Sequence, residues 1–236
     1  MRLTRSFAFL FAGFGIMASA ASAQDGQPVV VELFTSQGCS SCPPADGLLG
    51  ELASRDGVIA LALHVDYWDY IGWADTFARP EFTQRQHGYG VAAGSNVVYT
   101  PQMVIGGIEH VVGFRPMQVA DVIAEHARQP DPVAVHVEPD GDGFALTAEW
   151  RATPPAPAMV VQLVAYLPSE EVEITRGENA GRSVTYHNIV RDWQVVGEWD
   201  GAEPFSARLA VSEDMPHVVI VQHSGYGAIL GAARVD

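Results

Sequence analysis

The sequence predicts an α/β unit with the order βαβαββα and a mixed sheet, followed by an all-β, sandwich-like part. Three observations carry this. Apolar strand patterns and helical periodicities alternate as far as Arg128. The punctuation Gln129-Pro130-Asp131-Pro132 then interrupts the chain. Beyond it only strand patterns and turn residues follow. The expected divisions are a signal peptide over 1–23, an α/β domain over 24–130 and a β-rich domain over 131–236.

The leader has a short basic start with Arg2 and Arg5, an apolar run from Ser6 to Ala18, and Ala21-Ser22-Ala23 before Gln24. This is the pattern of a secretory signal, so export to a bacterial periplasm or the extracellular space is expected. The apolar run is short of the roughly 20 residues a spanning helix needs. Arg2 and Arg5 are not adjacent, which argues against twin-arginine export, and no cysteine stands at the cleavage point to take a lipid. Loss of the leader leaves 213 of 236 residues and moves the net charge from −15 to −17. That charge disfavours nucleic acid and anionic membranes as partners, and no later stretch predicts stable membrane insertion.

In the α/β part, Val29 to Phe34 reads as a buried strand, interrupted only by Glu32. Leu48, Leu49 and Leu52 give helical spacing over Ala45 to Ser54, and Val58 to Val65 is a second buried strand. The aromatic segment Asp66 to Trp73 stands at the carboxyl end of that strand, where open α/β sheets bind ligands or pack rings on the core. Phe77 to Gln86 suits a helix, and His87 to Gly94, with three glycines, reads as a loop. Gln102 to Ile105 and Ile108 to Val112 flank Gly106-Gly107 as a hairpin, and Pro116 to Arg128 forms a helix with Val119 and Ile123 on one face. In the β-rich part, strands are expected over Val133–Val137, Phe144–Trp150, Ala158–Leu167, Val184–Val196, Ser206–Val211 and His217–His223, with Pro154 to Pro157 as a stiff loop.

Cys39 and Cys42 are the only cysteines, spaced C-x-x-C between the first strand and the first helix. A bridge between them closes so short a loop that it does little for stability, so exchange chemistry is the favoured use. Unpaired N–H groups of the first helical turn would favour the thiolate. Cys39, at the accessible end, is the expected nucleophile and Cys42 the resolving thiol. Ser40 and Ser41 offer hydroxyls to backbone or sulfur, or simply start the helix.

The strand Val29–Phe34, Cys39-x-x-Cys42 at a helix start, Thr100-Pro101 before a strand and the Gly106-Gly107 hairpin resemble the thioredoxin superfamily over residues 28–128. More narrowly, Phe34 to Asp46, His64 to Trp68, Tyr99 to Gln102, Gly177-Glu178-Asn179 and Tyr186-His187-Asn188 are similar to a family of exported bacterial proteins with a thioredoxin-like domain of unknown function. The resemblance implies a cis peptide bond at Pro101 facing the disulfide, with the backbone of Thr100 free to pair with an extended substrate. The sequence departs from ordinary thioredoxin in Ser40-Ser41, in a link to Cys39 one residue longer, and in the prolines after Cys42.

Glu32 has two open roles. It can serve as the buried acid that moves the resolving cysteine's proton, as in thioredoxin, or stand as a paired structural carboxylate. His64 and Asp66 share a strand face, which suits an acid–base or metal pair but more commonly a satisfied histidine. Trp68 and Trp73 form a substrate wall or core. Glu178, Asn179, His187, Asn188 and Arg191 read as a polar loop network, without an assigned site.

The resulting expectation is an exported thiol–disulfide oxidoreductase, without a cofactor or metal, acting on protein or peptide thiols with a further redox partner. Two other classes fit the same residues. One is a Cu(I)-binding or delivery protein using Cys39 and Cys42 with Met103, His64 or His87. The other is a non-catalytic recognition module on a thioredoxin scaffold.

Overall fold

The computed structural model describes residues 26–235 apart from Pro154 and Glu213. The expected signal peptide, residues 1–23, lies outside them, as does Pro154 of the stiff loop. The chain runs β1 (Val29–Thr35), α1 (Pro43–Ala53), β2 (Val58–His64), α2 (Pro80–Ala92), β3 (Gln102–Ile105), β4 (Glu109–Val112) and α3 (Pro116–His126). It continues with β5 (Val133–Asp140), β6 (Gly143–Trp150), β7 (Met159–Ile174), β8 (Arg182–Trp199), β9 (Phe205–Leu209), β10 (His217–His223) and β11 (Ile229–Val235). The result is an α/β fold with a β-rich part, in the expected order βαβαββα through α3.

The β-rich part does not stand as a sheet of its own. One mixed sheet has the order β11-β10-β7-β8-β2-β1-β3-β4. β1 and β2 pair in parallel, β3 lies antiparallel to β1, and β8 joins β2 through a single parallel pair, Ala62 with Ile189. Only β5, β6 and β9 form a separate, three-stranded sheet. The sandwich-like packing is therefore local. Val133, Leu146 and Leu209 of the small sheet bury against Val161, Val219 and Val221 of the large one.

Side-chain alternation on the strands decides what each face holds. Val29, Val31 and Leu33 of β1 pack with Leu48, Leu49 and Leu52 of α1 and with Val119 and Ile123 of α3. Val30 and Phe34 point the other way, to Phe82 and Tyr89 of α2. The carboxyl ends of β1 and β2 thus carry the Cys39 turn and the aromatic loop into one neighbourhood.

Three elements differ from expectation for identifiable reasons. Helix α2 continues through His87-Gly88-Tyr89-Gly90, where a loop was expected. The glycines serve close packing there. A Cβ at Gly88 would meet ring carbons of Tyr226 at 2.4 Å, and one at Gly90 the carbonyl of Ser95 at 3.0 Å. Substituting Gly88→Ala improves helix propensity by about 1 kcal/mol, but overpacking costs about 1–3 kcal/mol. We predict net destabilisation, read as a lower denaturant midpoint at unchanged slope.

β7 runs on to Ile174 because Ser169 to Ile174 pair with His187 to Arg182 of β8, forming a long ribbon. β11 was not expected, since Gly231, Ala232 and Ala233 have weak strand propensity. It forms because β10 pairs with it, and because Gly231 lies so close to β5 that a Cβ would meet the Val133 carbonyl at 2.7 Å.

Candidate functional site: the Cys39–Cys42 turn

Cys39 and Cys42 form a disulfide at the amino end of α1, with Cα atoms 5.4 Å apart. Cys42 is the N-cap residue, and Pro43 and Pro44 occupy the first helical positions. The prolines do not delay the helix, because its first N–H groups have no intrahelical partner to lose. They do change the electrostatics. The next two N–H groups, of Ala45 and Asp46, both donate to the Cys42 carbonyl, at 2.8 and 3.1 Å. The free first-turn donors expected to favour a thiolate are thus absent from Pro43 to Asp46. The polar group at the outer sulfur is instead Ser41, whose Oγ lies 3.4 Å from Cys39 Sγ.

The link from β1 to Cys39 is held by Gln37. Its N–H donates to Asp75 Oδ2 at 2.7 Å, its Nε2 donates to Thr76 Oγ1, and its Oε1 accepts from Trp73 Nε1 at 2.8 Å. The aromatic loop lies directly on the turn: a Cβ at Gly38 would come within 3.2 Å of Trp68 Cβ. Trp68 in turn donates from Nε1 to Thr100 Oγ1 at 2.7 Å. The Thr100–Pro101 peptide bond is cis, and Pro101 is buried. Trp68 therefore ties the segment before β3 to the cysteine turn, as a bridge and not as core filling alone.

Glu32 is a buried and paired carboxylate in the structure. It faces α2, across the sheet from α1 and Cys42. Its carboxylate takes a bidentate pair from Arg85, Nε to Oε2 at 2.6 Å and Nη2 to Oε1 at 2.9 Å, and accepts from Tyr89 Oη. Arg85 also stacks on Trp193, with Cζ 3.8 Å from the ring centroid, and reaches Gln162 and Gln222.

The acid on the cysteine side is Asp46, one helical turn after Cys42. Asp46 and Thr35 share the α1 face, and Thr35 Oγ1 donates to Asp46 Oδ1 at 2.7 Å. His64 follows Val58, Ala60 and Ala62 on that face; its Nδ1 pairs with Asp75 Oδ2 at 2.7 Å, not with Asp66. Asp66 accepts from Thr83 instead. Two buried atoms in this cluster lack partners, Asp46 Oδ2 and His64 Nε2. Burial pushes the Asp46 carboxyl up to about 7, against the attraction of His64 and the Thr35 hydrogen bond. Burial would also raise Asp75, but His64 and the N–H groups of Gln37 and Phe77 outweigh it and hold that carboxyl below its usual range. Burial, with Asp46 and Asp75 nearby, holds the Tyr186 phenol well above its usual value.

Asp46 gives a sign-definite prediction. The native state keeps its proton up to about pH 7, while the unfolded chain releases it near 3.8. Stability contributed by the buried neutral acid is present below pH 4 and falls as pH rises towards 7, by about a few kcal/mol at most. Asp46→Asn should flatten that part of the stability–pH curve, measured as wild-type minus variant unfolding free energy from pH 4 to 8.

The β7–β8 ribbon and its connection bring further polar residues to this neighbourhood. Asn179, 1% exposed, donates from Nδ2 to the carbonyls of Gln37 at 2.9 Å and Cys39 at 3.0 Å. Tyr186 lies edge-on to His64, with centroids 4.9 Å apart. His187 lies over Gly50 of α1, and Asn188 donates to the Ala60 carbonyl at 2.8 Å. Glu178 is exposed, and Arg191 stacks on Phe77. The supplementary ligands considered for Cu(I) do not converge: His64 is bound to Asp75, His87 is exposed and Met103 is core. Among the described residues no three His, Cys, Asp or Glu side chains group to hold a metal. No helix among them is long and apolar enough to cross a membrane.

Fold and site together define an α/β protein with a β-rich part and a disulfide across the start of its first helix. The chain belongs to the family described as protein of unknown function (DUF1223), which matches residues 30–222. It is similar to a protein from Agrobacterium tumefaciens of known crystal structure, at 34% identity and a TM-score of 0.77, over 90% of this chain and 96% of that one. No curated protein matches it.

Proposed function

We propose that this is an exported thioredoxin-like thiol–disulfide oxidoreductase that acts on protein or peptide thiols through Cys39 and Cys42. The observation that carries the reading is the pairing of a short-loop disulfide with a buried, incompletely bonded acid–base cluster one helical turn behind Cys42. A bridge kept for stability has no use for orphaned polar atoms, whose burial is costly.

In the oxidising direction, a substrate thiolate attacks Cys39 Sγ. A substrate–Cys39 disulfide forms, the Cys39–Cys42 bond breaks, and its electron pair leaves on Cys42 Sγ. A second substrate thiolate then attacks the substrate sulfur of the mixed disulfide and releases Cys39. The substrate loses two electrons and two protons, and the protein gains them. Asp46, one helical turn after Cys42 and with Oδ2 unbonded, is suited to take or return the Cys42 proton, burial having pushed its carboxyl up to about 7. Ser41 Oγ, 3.4 Å from Cys39 Sγ in the disulfide, is placed to donate to the thiolate once the bond opens. The backbone of Thr100, before the cis bond to Pro101, is what an extended substrate pairs with. The reverse sequence reduces a substrate disulfide.

The test mixes oxidised protein with an excess of a peptide dithiol and then alkylates. The reading requires two alkylated cysteines on the protein and an equal amount of oxidised peptide. An unreacted protein would remove it, and would favour the recognition-module alternative, which the 1% exposure of Cys39 also suits.

A further inference from the structure

The disulfide is covered. Cys39 is 1% and Cys42 0% exposed, although Ser40 and Ser41 between them are exposed. An attacking thiolate needs a direct line to Sγ, so the closed structure is silent in exchange. The connection between β7 and β8, residues 175–181, lies against the cysteine turn. Within residues 175–181 every side chain but that of Asn179 is exposed, so its carboxamide is the side-chain hold of this strap on the cysteine turn. Its Nδ2 bonds both the Gln37 and the Cys39 carbonyl. Gly177 and Gly181, at φ +78° and +81°, flank it in conformations that favour glycine. Gly177 sits on the aromatic loop, where a Cβ would come within 3.1 Å of Trp73 Cβ. Closure is also imperfect, because Asn179 Oδ1 is buried without a partner. A strap held by one side chain, with an orphaned acceptor opposing it, has the makings of a two-state element.

We propose that Asn179 is a positioning residue that holds the disulfide in a covered state, and that thiols reach Cys39 only when the 175–181 strap lifts. This rests on the exchange reading above, and it adds what controls the rate. Observed reactivity is the open state's reactivity scaled by its population. Lifting the strap frees the two carbonyls beside Cys39 for an incoming chain.

The experiment follows reduction of the oxidised full-length protein by excess dithiothreitol. Two electrons and two protons pass from the dithiol to the cysteine pair, and alkylation with mass detection reads the thiols. Asn179→Asp sets a carboxylate against the two carbonyls, and Asn179→Ala removes the donor. Both should raise the second-order rate constant at least tenfold while circular dichroism remains native. Ser183→Ala, which loses only an exposed bond to Glu171, should leave it unchanged. Rates within twofold of wild type for both Asn179 variants would overturn the proposal. Hydrogen exchange on the unaltered protein covers the case of a variant that does not fold. Amides of 175–181 should exchange much faster than those of β1, and protection equal to β1 would overturn the proposal. The rate ratio with this strong reductant can be read even if glutathione buffers never reduce the pair, so failure of the exchange reading stays distinguishable.

Discussion

Cys39→Ser is expected to reduce thiol–disulfide exchange to the background of the thiols in solution, the largest functional effect any single change should have. The serine hydroxyl is not ionised at neutral pH and does not form the mixed disulfide. Cys42→Ser should behave differently. Its Cys39 thiolate, helped by the Ser41 hydroxyl 3.4 Å away, still attacks a substrate disulfide. Nothing then displaces the substrate, so a stable mixed disulfide accumulates on Cys39. Alkylation and mass analysis after mixing with an oxidised peptide would separate the two. Accumulation in Cys39→Ser and not in Cys42→Ser would reverse the assigned roles.

Glu32→Ala is expected to be the most damaging change to stability. The Glu32–Arg85 pair is buried and bidentate, and Tyr89, Gln162, Gln222 and the Trp193 ring complete its surroundings. Removing one partner leaves a guanidinium in a low-dielectric core, at a cost of about 3–5 kcal/mol. In a chain of this size that lowers the melting temperature by roughly 10 °C. Replacing both charges with apolar groups, Glu32→Leu with Arg85→Met, should recover much of the loss, because the cost lies in the unpaired charge more than in the lost attraction. Exchange by folded Glu32→Ala should remain near wild type. A selective loss of exchange with stability retained would restore the relay role to Glu32 and take it from Asp46.

The contrast between Glu32 and Asp46 shows how much of the site is legible in the sequence. Glu32 drew notice because a carboxylate inside an apolar strand is conspicuous. The strand's alternation already set it opposite Val31 and Leu33, but which face α1 would cover was not legible. Asp46 drew none, because an acid in a helix's first turn ordinarily complements the helix dipole. Its burial depends on Thr35, and its neighbours His64 and Asp75 come from another strand and loop. The two cysteines, the turn around them, Thr100-Pro101 and the order βαβαββα rest on local signals and were legible. The joining of β8 to β2 was not, since it rests on one paired position and on Asn188, which adopts φ +47° and donates to the Ala60 carbonyl. Asn179 likewise meets the Cys39 turn across 140 residues of sequence. Local pattern carries no record of such contacts. The glycines of α2 misled for a related reason: at that site close packing against Tyr226 wins over weak helix propensity.

The proposed function requires above all that the Cys39–Cys42 pair can cycle. Its reduction potential, measured by equilibrating the protein in glutathione and dithiothreitol buffers and counting alkylated thiols, tests this directly. A single reversible two-electron transition at a potential between roughly −120 and −270 mV, the span of known exchange proteins, is the predicted result. A bridge that stays oxidised throughout those buffers, or that once reduced does not re-form, would contradict it.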